Sequence, residues 1–290
     1  MCSTLRSTAT GYCKSGIQPG IASVCVHRGE EPPVDGCNGI VNVFFSHCNL
    51  QCEFCQNKQI SNNNTFVHHH QSLSESISSI TDLFEKHKIS SVGFVSPSHH
   101  IREVIAIVEE LRLRGWNPTV VYNTNSYDTV DSLRLLESFV DVYLPDFKYS
   151  DEQIAKELSG VSDYPLVALR AIKEMYRQKG NQLLINEQGY AEKGLIIRHL
   201  VLPGYSQNSK NVLSLIADEI SMNVHVSLMS QYNPKYYTGN TKCLTGRLSV
   251  DEYQEIVNWF HGVGLHKGWI QELDSCSVYN PNFDQPHPFE

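Results

Sequence analysis

No run of apolar residues in this chain is long enough to cross a bilayer, and the opening Met1-Cys2-Ser3-Thr4-Leu5-Arg6 lacks the apolar segment of a secretory leader. No block of lysine or arginine stands out: 23 Lys and Arg face 31 Asp and Glu, for a formal net charge of −8. That balance excludes the electrostatic footprint of a nucleic-acid binder and chiefly favours solubility. Neither a nucleic acid nor a membrane is therefore expected as a partner. Internal repeats are absent, as is low complexity beyond His68-His69-His70, which directly precedes a helix cap and reads as a solvated loop. Paired C-x2-C knuckles of the zinc-domain kind are missing too. The nine cysteines are an odd number and do not make a disulfide framework. A chain of 290 residues with 41% hydrophobic content can bury a core without such staples. Many unpaired thiols point to a reducing cytoplasm.

What is present is concentrated in Cys48-Asn49-Leu50-Gln51-Cys52-Glu53-Phe54-Cys55, a C-x3-C-x2-C run with an aromatic before its last cysteine. An iron–sulfur cluster ordinarily takes four thiolates. A loop offering three can hold a cubane and leave one iron open, which is what radical chemistry on S-adenosylmethionine (SAM) requires. A zinc site completed by His47, or by one of His68, His69 and His70, is the competing reading.

From residue 39 onward, short β-branched or aromatic runs alternate with amphipathic helical patterns. The expected strands are 40–45, 91–95, 119–123, 140–144, 195–202 and 224–229, whose near-continuous apolar character suits buried parallel strands. Ser72-Leu73-Ser74-Glu75 and Ser249-Val250-Asp251-Glu252 read as capping boxes that open helices. A stripe from Ile101 to Leu111 closes at Gly115, and residues 151–193 hold two helices and the Asn186–Gly189 turn. Six strand–helix units with right-handed crossovers give a barrel or an open part-barrel. The Cys48–Cys55 loop, Ser96–His100, Asn123–Asn125, Pro145–Lys148 and Met229–Tyr232 would all leave strands at their carboxyl ends and face one cleft. Residues 1–38 read as an N-terminal extension, 39–267 as the barrel core and 268–290 as an extended surface tail.

The cysteine run with Phe54 resembles the signature of the radical SAM superfamily. Over nearly its whole length the chain resembles the subgroup related to pyruvate formate-lyase-activating enzyme. The resemblance rests on Gly29-Glu30-Glu31-Pro32-Pro33, Phe44–Leu50, Val121–Thr124, Tyr143–Lys148, Ile197–Gly204 and Met229–Pro234. It implies an α/β fold, a partial (β/α)6 TIM-like barrel, and a [4Fe-4S] cluster on Cys48, Cys52 and Cys55 whose open iron binds SAM. It also implies an electron donor such as flavodoxin or ferredoxin. Phe54 would contact the adenine or flank the cluster. Activating enzymes carry Gly-Gly-Glu after the second barrel strand to hold the SAM amino group. Here Ser96-Pro97-Ser98-His99 stands instead, which leaves the hydroxyls of Ser96 and Ser98 as acceptors. Asn123 and Asn125 would meet the ribose or carboxylate. Asp146 and Lys148 match an Asp-x-Lys whose lysine pairs with the SAM carboxylate, and Arg198 matches an arginine that approaches SAM. For Lys148 and Arg198 an ion pair with Asp146 is the structural alternative. His199 and Gln231 are further candidates, for which core or rim hydrogen bonding is an equal alternative.

Cys2, Cys13, Cys25 and Cys37 are spaced by 11, 12 and 12 residues and fit no compact knuckle, though four thiolates would suffice for a second cluster or zinc. Cys243 and Cys276 read as buried cysteines. Three functions follow. The first is a radical SAM enzyme acting on a protein or peptide, in the manner of a glycyl-radical activase. The second is a radical SAM enzyme altering a small metabolite, and the third is a non-catalytic iron–sulfur or zinc protein.

Overall fold

The computed structural model describes residues 4, 6–64, 71–273, 275, 280–285 and 287–289. Cys2, His68, His69, His70 and Cys276 lie outside the described residues.

Strand β1 (Ile21–His27) runs antiparallel to β2 (Ile40–Phe45), and parallel pairing then carries the sheet through β3 (Ser91–Val95), β4 (Thr119–Thr124) and β5 (Val142–Pro145). A two-residue β6 (Leu184–Ile185) folds back on the edge of β7 (Ala191–Leu200). Beyond β7 come β8 (His225–Met229) and β9 (Gly268–Ile270), both parallel. The order β1-β2-β3-β4-β5-β7-β8-β9 does not close on itself, so the fold is an α/β partial barrel, as expected.

The sequence reading places β2 and β3 at their observed ends and the other inner strands within a few residues. Both capping boxes form: Ser72 and Glu75 open the helix Leu73–His87, and Ser249 and Glu252 open Val250–Gly262. The expected pair of helices in 151–193 is Glu152–Ser159 and Tyr164–Lys179. Two features differ from expectation. The barrel sheet starts at Ile21, inside what reads as an extension, because the apolar residues of β1 pair with β2 and cover its edge. The tail is not wholly on the surface either. Its first residues form β9, and Phe283 and Phe289 pack on Phe44 with ring centroids 5.2 and 5.7 Å away, shielding an aromatic that the open side of the barrel would expose.

The outer faces of the strands meet the helices in one continuous core that includes Tyr122, Tyr143, Tyr149 and Tyr164. The inner faces point into the lumen. Its lower end is plugged by a short helix, Pro32–Asp35, whose Val34 packs with Ile40, Val121, Val142 and Ile196. Above this apolar plug the lumen turns polar, with Asn42, Asn123, Arg198 and Ser227 on the wall. Gly93 opens the wall for Asn42, since a Cβ at 93 would collide with the Asn42 amide.

His199 alternates to the outer face and is fully buried. Its Nδ1 donates to the Phe147 carbonyl (2.7 Å), and Nε2 meets the Ser209 hydroxyl (2.9 Å). It is thus a core histidine rather than a site residue. Burial lowers its pKa to about 4. A neutral buried ring resists protonation, whereas the unfolded chain takes a proton near pH 6.5. Stability is therefore expected to be complete above pH 6.5 and to fall between pH 6.5 and 4, by about 3 kcal/mol from this residue. Urea titrations of wild type and His199→Asn across that window check it: the variant should lose part of the acid dependence.

Candidate active site

The carboxyl ends of the strands open into a cavity of about 440 Å³. Cys48, Cys52 and Cys55, Phe54, Ser96, Asn123 and Asn125, Asp146, Lys148 and Arg198 all line it, as does Gln231. One expected member is missing. Ser98 faces away, its hydroxyl 3.1 Å from that of Thr124, because the chain turns at Ser96 (φ +51°) and enters the helix that starts at Ile101. From the same run, His99 bonds the Ser46 carbonyl (2.9 Å) and His100 stacks on Phe45. Only Ser96 of that segment reaches the cavity.

His47 (φ +64°), Ser96 and Ser126 (φ +65°) all occupy the left-handed region, uncommon for residues with a Cβ. Each follows a strand end, where the chain reverses to aim a loop at the cavity. Such outliers collect at functional sites.

Every cysteine of the triad has a donor or hydroxyl at its sulfur. Cys48 Sγ receives the Leu50 N–H (3.4 Å) and the Asn125 amide (3.3 Å). Cys52 Sγ receives the Ser159 hydroxyl (2.9 Å), itself 2.8 Å from the Tyr149 hydroxyl. Cys55 Sγ lies 3.2 Å from the Ser61 hydroxyl. Donors aimed at sulfur stabilise thiolate and tune a bound cluster. Burial opposes this: it pushes the Cys48 thiol up to about 12 and raises Cys52, which the Lys148 ammonium partly offsets. Metal binding must displace these protons. Among the described residues no three Cys, His, Asp or Glu side chains gather around a point suited to a single metal ion. The triad instead walls a cavity. Three cysteine sulfurs on one cavity wall, each with a donor or hydroxyl beside it, fit a cluster held by three thiolates.

Asn125 is already engaged. Besides Cys48, its amide donates to Asn49 (2.8 Å), its side-chain oxygen accepts from Tyr127 N–H (2.9 Å) and its carbonyl lies 3.0 Å from the Tyr164 hydroxyl. It shapes the cysteine loop from the end of β4, the next strand but one. Asn125→Ala is expected to leave the fold intact and weaken cluster retention roughly 10- to 100-fold, measured as iron released to a chelator over time.

Opposite the triad runs a ladder of charge. Lys148 Nζ donates to Asp146 Oδ2 (2.6 Å), and Arg198 Nε donates to Asp146 Oδ1 (2.9 Å). Arg198 reaches on to the Asn123 side-chain oxygen (2.6 Å) and to Glu30 (3.4 Å). The two cations hold the Asp146 carboxyl below its usual range despite burial. The ion-pair alternative for Lys148 and Arg198 is thus part of the geometry. Glu30 and Glu31, at the mouth of the plug, line the same cavity. They are not expected from sequence as site residues. Their clue is two adjacent acids before Pro32-Pro33, but Arg198, which bonds Glu30, lies 168 positions from it.

Among the described residues, the remaining cysteines do not gather into a second centre. Cys25 is buried within β1 against Phe44, Cys13 is buried and Cys37 is exposed. Cys243 is exposed, against expectation, on a turn whose neighbour Leu244 takes the buried place.

Comparison with known proteins agrees with this picture. Residues 34–164 match the model of a 4Fe-4S single cluster domain, which contains the whole cysteine loop. The chain is 29% identical over 269 residues to "Uncharacterized protein MJ0674" of Methanocaldococcus jannaschii, covering 88% of this chain and 70% of that one. Among solved structures, the FeFe-hydrogenase maturase HydG from Carboxydothermus hydrogenoformans aligns with a TM-score of 0.53 at 13% identity over 79% of this chain and 52% of that one. Streptococcus suis SuiB bound to precursor peptide SuiA aligns with a TM-score of 0.51 at 13% identity over 78% of this chain and 47% of that one. The chain therefore spans about half the length of both structures, and what they share with it is the fold. The three-thiolate loop at the mouth of the partial barrel thus lies within the segment that is similar to a 4Fe-4S single cluster domain.

Proposed function

We propose that this protein is a radical SAM enzyme that abstracts hydrogen from a protein or peptide substrate, in the manner of a glycyl-radical activase. The observation that carries it is the one cavity that Cys48, Cys52 and Cys55 line together with the Lys148–Asp146–Arg198 ladder. When bound, a [4Fe-4S] cluster with one open iron supplies the electron that splits SAM into methionine and a 5′-deoxyadenosyl radical. The residues do the rest. Cys48, Cys52 and Cys55 hold the cluster, and Asn125, Ser159 and Ser61 steady their sulfurs. Lys148 offers its ammonium to the SAM carboxylate while Asp146 keeps it charged and oriented. Phe54, set edge-on to Tyr232 at 6.1 Å, gives the adenine an apolar wall. Asn123 and Ser96 supply polar contacts at neighbouring strand ends. Phe289, also on the cavity wall, helps exclude water from a reactive intermediate.

A peptide or protein substrate is supported by the subgroup resemblance and by the peptide bound in the SuiB structure. The electron comes from a donor of the flavodoxin or ferredoxin type, in a reducing cytoplasm. Among the described residues no helix is long and apolar enough to cross a membrane. With dithionite, SAM and a peptide library deuterated at the α-carbons, deuterium should appear in 5′-deoxyadenosine. Transfer from labelled small metabolites but never from peptides would support the metabolite reading instead.

A further inference from the structure

The acids at the mouth of the plug are unequal. Glu30 is fully engaged: it accepts from the Asn42 amide (3.0 Å), lies 3.4 and 3.5 Å from that of Asn123, and pairs with Arg198. Glu31 is only partly engaged: Ser227 bonds its side chain and Arg198 acts on it, but the residue is 7% exposed and its Oε2 is buried with no hydrogen-bond donor among the described residues, on the wall of the cavity. An orphaned buried acceptor costs free energy that a ligand donor would recover. Glu31 also sits at the far end of the charge ladder from the cysteines. Cys52 acts on Lys148, Lys148 on Asp146, Asp146 on Arg198, and Arg198 with Glu30 on Glu31. Lys148 and Arg198 face Asp146, Glu30 and Glu31 along that wall, and the Arg198 guanidinium is shared among all three acids.

We propose that Glu31 is the binding subsite for a cationic nitrogen of the hydrogen-donating substrate, an ammonium or guanidinium such as a lysine or arginine side chain carries. This rests on the radical SAM reading for the identity of the reaction, but the subsite itself does not need turnover. SAM's own ammonium is the other source of such a nitrogen. It belongs beside the cluster loop, whereas the partners of Glu31 are Arg198, Glu30 and Ser227. Burial and the neighbouring Glu30 raise the Glu31 pKa, as fits a carboxylate whose counter-charge arrives with a ligand.

The test uses the anaerobically reconstituted holoenzyme with saturating SAM and titrates n-butylamine and agmatine against n-butanol by calorimetry. The cations should bind and the alcohol should not. Glu31→Gln should weaken cation binding roughly 10- to 100-fold and leave the SAM dissociation constant within about twofold. Because glutamine replaces a buried carboxylate whose Oε2 has no hydrogen-bond donor, the variant should melt at or above the wild-type temperature. Equal binding of amine and alcohol, or equal amine binding by wild type and variant, would overturn the subsite. A parallel loss of SAM affinity in the variant would transfer Glu31 to SAM and overturn the substrate assignment. A fall in melting temperature beyond about 4 °C would mean that the carboxylate is engaged within the fold and would also overturn it. Failure of the wild type to bind SAM at all would instead sink the radical SAM reading, whatever the amines do.

Discussion

Replacing Cys48 by alanine should reduce iron–sulfur loading to background and abolish SAM cleavage, while the chain keeps its fold. Cys48 is the most deeply embedded of the triad. It is held by the Leu50 N–H from its own loop and by the Asn125 amide from the next-but-one strand. With only two thiolates left, Cys52 and Cys55, the loop lacks a third corner for the cluster. The fold has its own support, since the strands on either side rest on an apolar core that does not depend on metal. Iron and sulfide analysis after anaerobic reconstitution, with circular dichroism for the fold, gives the answer. The high Cys48 pKa adds a condition: thiolate must form against burial, so loading of the wild type should quicken as pH rises from 7 toward 9.

Arg198→Ala should have the largest effect on stability. The guanidinium is buried and serves Asp146, Asn123 and Glu30 at once, with Glu31 close by. Its removal leaves buried carboxylates facing one another, and losing one partner of such a group typically costs about 3–5 kcal/mol. Lys148→Ala should cost less, because Asp146 keeps Arg198. The two variants separate structure from function. Lys148→Ala should weaken SAM binding with a modest change in the urea midpoint, whereas Arg198→Ala should shift the midpoint strongly. Equal midpoints for the two would contradict the ladder.

The same ladder shows where sequence reading reached and where it stopped. Strand ends were readable because buried parallel strands are continuous apolar runs, and a polar residue at such an end stands out. Cys48, Asn123 and Asp146 are each visible in that way, whereas Arg198 lies inside its strand and is marked by the family resemblance. Helix caps at Ser72 and Ser249 were readable because the capping box is local. Ser98 was misplaced because a single left-handed residue, Ser96, decides which side of the strand the next side chains take. Cys243 was expected to be buried, but a turn left it exposed and gave Leu244 the interior. β1 lies ahead of the signature and has no local mark, since its pairing with β2 is set by a sheet edge that needs cover. Glu30 and Glu31 carried no periodic signal. Their place in the cavity depends on the plug helix folding up into the lumen beneath strands that come much later in the chain.

The central claim is that one cavity holds a cluster and SAM together for radical generation. It is tested most directly by 5′-deoxyadenosine formation in the reconstituted wild type, with about four irons per chain, dithionite and SAM. The account predicts 5′-deoxyadenosine and methionine in equal amounts, and none from Cys48→Ala under the same conditions. A fully loaded wild type that binds no SAM and forms no 5′-deoxyadenosine would contradict it.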